Sequence, residues 1–412
     1  MAEESSLDLC SILMERRRTV IRPSCRLGLA SPGLRWLHAL MISRTLPLWV
    51  LSLIVVACGV TQPEKQGDGP EAPTKDFVIQ AGKAVDPLPG ETWFRNIRQL
   101  TFGGENAEAY WSNDGTRLIL QSKRPPFLCD QIFTIDLASG ETKLVSTGKG
   151  RTTCSYYMQG DRKIIYASTH LADEDCPPPV FRVNGRYVWA IYEGFDIFVA
   201  NPDGSDLTRL TSAKGYDAEA TVCPVTGRVV FTSVRDGDLE LYSMQPDGSD
   251  IKRLTNRTGY DGGAFYSPDG SKIVQRSGFP KNPEEEEEYL SFLKKGLVVP
   301  SHMEITVIDR DGSNFRQVTS NGKANFGPYW HPDNRRIIFA SNLGDPKGRD
   351  FELYLIDEGG QNLVQLTHNP SFDGFPMFSP DGKHLVFASN RFGKERGETN
   401  VFVAEWVEGG GQ

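Results

Sequence analysis

Six polar residues recur at matching places along the 412-residue chain: Asn106, Thr152, Asp217, Asp261, Asn325 and Asp373. Each opens a short apolar segment, and in five of the six units the next apolar segment ends beside basic residues: Lys123 and Arg124, His170, Arg235, Arg276 and Arg391. Three carboxylates among several guanidiniums suit a zwitterionic peptide or sugar, and a ring of oxygen donors suits Ca2+. The same residue types also serve structure, with the acids capping backbone N–H groups of neighbouring units and the arginines pairing with the acids. His170, His302 and His368 fall in segments able to approach such a ring, whereas His331 and His384 occupy a turn and a strand start. No nucleophile and base stand at a spacing that selects a reaction, no G-x-S-x-G elbow is present, and no C-x-x-C or Cys/His spacing suggests zinc. The expectation is a non-catalytic, cofactor-free module that binds a protein or peptide; the alternative is an enzyme that processes carbohydrate or peptide through the same mouth.

These residues are spaced by a repeat. Gln99-Leu100-Thr101, Leu144-Val145-Ser146, Arg209-Leu210-Thr211, Arg253-Leu254-Thr255, Gln317-Val318-Thr319 and Gln365-Leu366-Thr367 follow one another at 45, 65, 44, 64 and 48 residues. Two of the units therefore carry about twenty extra residues. Within a unit comes a turn of the type Ser267-Pro268-Asp269-Gly270, also seen at residues 112–115, 331–334 and 379–382. A strand such as Leu385-Val386-Phe387-Ala388-Ser389 follows, then an alternating strand such as Glu240-Leu241-Tyr242-Ser243-Met244, a Pro-Asp-Gly-Ser-Asp turn, and the "RLT" strand. Four short strands cannot bury their own faces, so the units must pack radially. The reading is all-β: a six-bladed β-propeller of four-stranded blades. The last unit stops after its third strand at Trp406, and the strand Ile97 to Thr101 is expected to supply its fourth and close the ring.

The "SPDG-x-x-I-x-F-x-S" and "DG-x-x-x-x-x-L-T" phrases resemble the WD-like propeller repeats of the TolB family, over residues of about 98 to 407. The resemblance implies a periplasmic six-bladed propeller of the kind found in the Tol-Pal system. A separate amino-terminal α/β domain of the TolB type is not recognisable, and a lipobox is present, so the chain looks like a TolB-like lipoprotein. Similar blades precede the hydrolase domain of prolyl-oligopeptidase-type enzymes, but no such domain is expected here.

Strand alternation places both tight turns of each blade on one face. Nearly all length variation falls on the other, at residues 170–194, 277–303, 343–350 and 391–398, so the working surface is expected on this loop-rich face. In the blade 4 insert, Asn282 reads as an N-cap, Pro283 as the first helical residue, Glu284 to Glu288 as the acidic first turns and Gly296 as the stop. Tyr289, Leu290 and Leu293 share one side of that helix and are expected to pack on the propeller. In the blade 2 insert, Cys176-Pro177-Pro178-Pro179 is stiff, and a disulfide from Cys176 to Cys129 or Cys154 would pin it, leaving Cys223 free.

From Met41 the chain reads as an address: a charged start, a short apolar centre, then Val55-Val56-Ala57-Cys58-Gly59, which resembles a bacterial lipobox with Cys58 as the lipidated residue. The apolar stretch Leu46 to Val60, at 15 residues, falls short of the roughly 20 that span a bilayer. Met41 is the expected start, with residues 1–40 an upstream extension. The organisation expected is thus an extension and signal peptide over 1–57, a lipidated Cys and flexible tether over 58–90, the propeller over 91–407 and a tail over 408–412. Lys+Arg number 45 against 53 Asp+Glu, giving −8, and removal of residues 1–57 leaves −11. That acidic balance argues against nucleic acid as a partner. The expected setting is the periplasm or outer membrane, with a monomeric propeller held by its lipid anchor and an envelope protein or peptide at its loop-rich face.

Overall fold

The repeat phrases become turns and strand ends. In the computed structural model, which describes residues 78–410, the hydroxyls of Ser112, Ser267 and Ser379 donate to Asp114, Asp269 and Asp381, whose carboxylates also accept N–H groups of Thr116, Ser271 and Lys383. Gly115, Gly270 and Gly382 take φ near +70° at the corner, which a side chain resists. The "RLT" phrase caps a strand. The hydroxyls of Thr101, Thr211, Thr255, Thr319 and Thr367 accept the N–H of the third strand beside them. Two residues earlier, Gln99, Arg209, Arg253, Gln317 and Gln365 donate to that threonine's carbonyl.

Five sheets have four strands in the antiparallel order of a propeller blade. Their innermost strands are Glu105–Trp111, Thr152–Tyr157, Asp217–Val222, Tyr260–Tyr266 and Asn325–Trp330. The sixth blade is built on Asp373–Phe378, and its third strand Asn400–Trp406 pairs with Phe94–Gln99 from the other end of the described chain. Each innermost strand packs against the next around the ring, including the sixth against the first, where Trp111 Nε1–H donates to the Met377 carbonyl at 3.1 Å. Large rings such as Trp111, Trp330, Phe231, Phe339 and Phe387 are buried between sheets.

The expected flexible tether is corrected over its described part. Lys83–Ala84 adds a fifth strand outside Phe94–Gln99, Ala81 is buried, and Arg98 donates to the carbonyls of Gln80, Ala81 and Gly82. Residues 78–90 thus belong to the sixth sheet's edge, because Arg98 satisfies carbonyls that a tether would leave to water. The tail is also engaged at its start, where Glu408 pairs with Arg336 at 2.6 Å. The upstream extension, signal peptide and Cys58 lie outside the described residues.

The blade 4 insert forms the helix Pro283–Leu293, with Asn282 Oδ1 accepting the Glu285 N–H and Gly296 at φ +69° just beyond. Leu293 and Phe292 are buried and Tyr289 donates to Asp238 at 2.5 Å. Leu290, expected to pack, is 43% exposed, whereas Phe292, two residues on and about 200° round the helix, is buried.

Candidate functional site: a cavity on the loop-rich face

The six recurring polar residues do not line a mouth. Asn106, Thr152, Asp217, Asp261, Asn325 and Asp373 are all at most 1% exposed. Their backbone N–H groups donate, in the same order, to the carbonyls of Thr399, Asp130, Phe195, Leu239, Met303 and Phe351, each on the third strand of the preceding blade or immediately before it. One polar residue per blade therefore stitches that blade to its neighbour. Its side chain faces a serine directly across the strand pair: Ser122, Ser168, Ser233, Ser277, Ser341 or Ser389.

Three of the four arginines complete these buried clusters. Arg124 donates to Asn106 at 2.7 Å, Arg235 to both Asp217 oxygens at 3.0 and 3.1 Å, and Arg391 to Asp373 at 2.8 Å. Arg391 also grips Glu91 through two nitrogens. The ring thus takes the stitching role, with its carboxylates already held by serines and guanidiniums. Arg276 alone leaves the pattern and turns into the channel.

What does line the channel lies two residues further along each innermost strand. Glu108, Cys154, Glu219, Gly263, Gly327 and Phe375 all have φ between +49° and +60°. At each of them the pairing with the second strand slips by one residue. This is a β-bulge repeated in all six blades, and it turns the bulged residue inward. Two positions further on, Tyr110, Tyr156, Phe265 and Tyr329 pack across the channel with ring centroids 5.2 to 6.2 Å apart. A cavity of about 920 Å3 stands over this plug and includes Glu108, Cys154, Glu219, Arg276 and Phe375 in its lining.

The floor is charged and asymmetric. The missing side chain at Gly263 leaves room for Arg276, since a Cβ there would lie 2.1 Å from its Nη1. Arg276 forms an ion pair with Glu219 across the blade 3–4 seam and donates to the Tyr260 hydroxyl at 2.6 Å. Glu219 also accepts from Thr232, Tyr260 and the Gly263 N–H. Burial pushes Glu219 up, but Arg276 and these donors outweigh it, so its carboxyl titrates below the usual range. Glu108 has no such help. Burial pushes it up to about 7, Glu219 adds to the rise, and a hydrogen bond from Cys154 with the more distant Arg276 only partly opposes it. Burial, Glu108 and Glu219 push the Cys154 thiol far up, so it stays protonated.

The walls come from the blade inserts. Trp189–Ala190 of the blade 2 insert pairs with Leu297–Val298 of the blade 4 insert, joining the two long loops beside the mouth. Trp189 stacks over Arg276 at 5.2 Å and packs on Phe326 at 5.0 Å. Tyr187, Phe351 and Phe372 continue the aromatic wall, while Lys323, Lys347 and Arg349 stand at its rim. Upstream, Cys176 is disulfide-bonded to Cys129 of blade 1, so the insert is fixed at one end by a covalent bond and at the other by the shared ladder. Cys154 is a free thiol in the channel, and Cys223 is free and buried.

Of the three histidines expected near the mouth, His302 lines the cavity. His170 instead hydrogen-bonds Ser168 at 2.8 Å and lies 4.5 Å from the Phe198 ring, and His368 packs on Gly90. No group of three or more His, Cys, Asp or Glu that could hold a metal ion occurs among the described residues.

The bulge residues escaped sequence reasoning because strict alternation sends every second residue the same way, and one extra residue reverses that count. Their signals were available: Gly262-Gly263 and Gly327 inside strands, and Glu108 and Glu219 in otherwise apolar runs.

No family model matches the chain, and no curated protein matches it. Solved structures similar to it include a gluconolactonase from Xanthomonas campestris, with 13% identity, covering 79% of this chain and 98% of that one, at a TM-score of 0.51. A TolB candidate from Agrobacterium tumefaciens has 19% identity over 74% of this chain and 91% of its own, at 0.49. TolB from Acinetobacter baumannii has 19% identity over 74% of this chain and 64% of its own, at 0.48. At these identities the likeness is one of architecture: the chain is a six-bladed β-propeller.

Proposed function

We propose that the protein is an exported, lipid-anchored propeller of the bacterial cell envelope that binds a peptide or a segment of a partner protein in the cavity on its loop-rich face, without chemistry. The observation that carries this reading is the cavity itself. Two inserts from different blades, one disulfide-pinned, are joined by a ladder to wall a 920 Å3 space with aromatic rings above a charged floor. Aromatic walls with a few convergent polar groups suit an extended chain with apolar and charged side chains. Export is supported by the Met41 to Gly59 segment, and an intact disulfide fits an oxidising compartment.

The test is photo-crosslinking in cells from Tyr187 or Lys347 on the cavity rim, with Asn113 and Asp203 on the tight-turn face as controls. Adducts with an envelope protein or peptide from the rim positions alone are expected. Adducts from the control positions alone would overturn the placement. The second reading, a propeller enzyme acting on carbohydrate or peptide, is favoured by one observation: the Glu108 carboxyl, at about 7, can give and take a proton near neutral pH. Wild-type turnover of an oligosaccharide or peptide that Glu108→Gln abolishes would carry that reading instead.

A further inference from the structure

We infer that the cavity floor takes a cationic side chain of the lysine or arginine type, presented by an extended peptide, with Glu108 as its counter-ion. This rests on the peptide reading above and specifies the residue that enters deepest.

The floor holds two carboxylates, Glu108 and Glu219, and one guanidinium, Arg276. Arg276 is committed to Glu219 and to the Tyr260 hydroxyl, and it is further held between the rings of Trp189 and Tyr260 at 5.2 Å each. The groups facing Glu108 are Tyr110 on its own strand, Cys154 from blade 2, Glu219 from blade 3 and Arg276 from blade 4. Asp130, at the blade 1–2 seam, adds negative charge but is paired with Arg151 at 3.1 Å. Among the described residues no Lys, Arg or His makes a salt bridge to Glu108. Ionised, a half-buried carboxylate beside a second carboxylate has no cation of its own here; a proton fills that place at lower pH, and an incoming cation can fill it in the proton's stead.

The walls fit the rest of such a side chain. Tyr187, Trp189, Phe326, Phe351 and Phe372 offer apolar faces to its methylene stem and ring faces to its charge. Lys323, Lys347 and Arg349 reverse the sign at the rim, which orients the ligand: its cation goes down, and a carboxylate of the same peptide stays at the mouth. Because Glu108 carries a proton below about 7, the cation enters as that proton leaves, and binding strengthens as pH rises through neutrality.

The test is calorimetric titration of the full-length protein with acetyl-Ala-Lys-Ala-Asp, its norleucine counterpart, and n-butylammonium. At pH 8 the lysine peptide is expected to bind at least tenfold tighter than the norleucine peptide, with the preference shrinking severalfold at pH 6. Glu108→Gln, nearly isosteric, should abolish both the preference and its pH dependence, while Phe351→Ala weakens both peptides alike. Equal binding of the two peptides, or a lysine preference that survives Glu108→Gln in a variant of unchanged thermal stability, overturns the inference and leaves the peptide reading standing. Binding of n-butylammonium but of neither peptide overturns the peptide reading and keeps the cation floor. Failure of all three probes overturns both.

Discussion

Arg391 grips Glu91, 300 residues away in the chain, through two nitrogens, and holds Asp373 with one of the same nitrogens. All three side chains are at most 1% exposed. A single guanidinium thus fixes the segment before Phe94–Gln99 to the innermost strand of blade 6. Arg391→Met leaves two buried carboxylates facing each other, and about 3–5 kcal/mol of stability should be lost at neutral pH. Glu91→Gln leaves Asp373 as partner and should cost about 1 kcal/mol. Urea denaturation of the two variants checks the order; a Glu91→Gln loss equal to that of Arg391→Met would show that the pair acts as one indivisible unit.

Asp261 makes stability depend on pH in a direction opposite to that of most carboxylates. Burial pushes it up to about 7, with Ser277 opposing and Glu240 assisting. In the unfolded chain it titrates near 3.9. Between these values the folded state keeps a proton that the unfolded state has lost, so this residue lowers stability as pH rises from about 4 through about 7. Asp261→Asn should be nearly neutral near pH 4 and stabilise by roughly 4 kcal/mol at pH 8. Melting temperatures across that range read the effect, and parallel curves for variant and wild type would refute it.

The Cys129–Cys176 bond spans 47 residues and anchors the insert that carries Trp189. Cys176→Ser should cost about 2–4 kcal/mol and expose residues 170–187 to proteolysis, while the blade 3 to 5 strands stay protected. Limited digestion with and without reductant distinguishes the two regions. Uniform cleavage across the blades would mean that the insert and the ring unfold together.

Gly263 stands at φ +60°, and its Cβ-less backbone is what admits Arg276. Gly263→Ala meets the ordinary left-handed penalty of about 1–2 kcal/mol and pushes the guanidinium off Glu219. Beyond the stability loss, Trp189 fluorescence should change, because its ring lies over that guanidinium at 5.2 Å. A variant with unaltered emission would place Arg276 elsewhere in solution.

How much of this was legible beforehand follows from what a repeat encodes. The tight turns and strand ends are local devices, so Ser267 to Gly270 or Arg253 to Thr255 state their own structure. The sixth blade's outer strand was legible by counting, as was the capped helix after Asn282. The site was legible only as a face. The conspicuous polar residue of each unit, such as Asp217, proved to be a stitch, because its backbone N–H and its side chain both find partners at the seam. The residue that reaches the channel, such as Glu219, was hidden by a one-residue slip in register that composition does not announce. Arg276 was expected in the same role as Arg235, and a glycine opposite it decided otherwise.

The sixfold bulge has a consequence for how this surface can change. Because backbone geometry, not side-chain identity, aims the inward position, Glu108, Cys154 and Phe375 sit in sockets of one common shape that already accept an acid, a thiol and a ring. Ligand preference can therefore be rewritten at these three sockets without disturbing the stitches that hold the ring. The two glycine sockets add a constraint: a side chain at Gly263 would displace Arg276, and one at Gly327 would come to rest against Phe375. The channel reads as six characters spelled in three pairs: Glu108 with Cys154, Glu219 with Gly263 through Arg276, and Gly327 with Phe375.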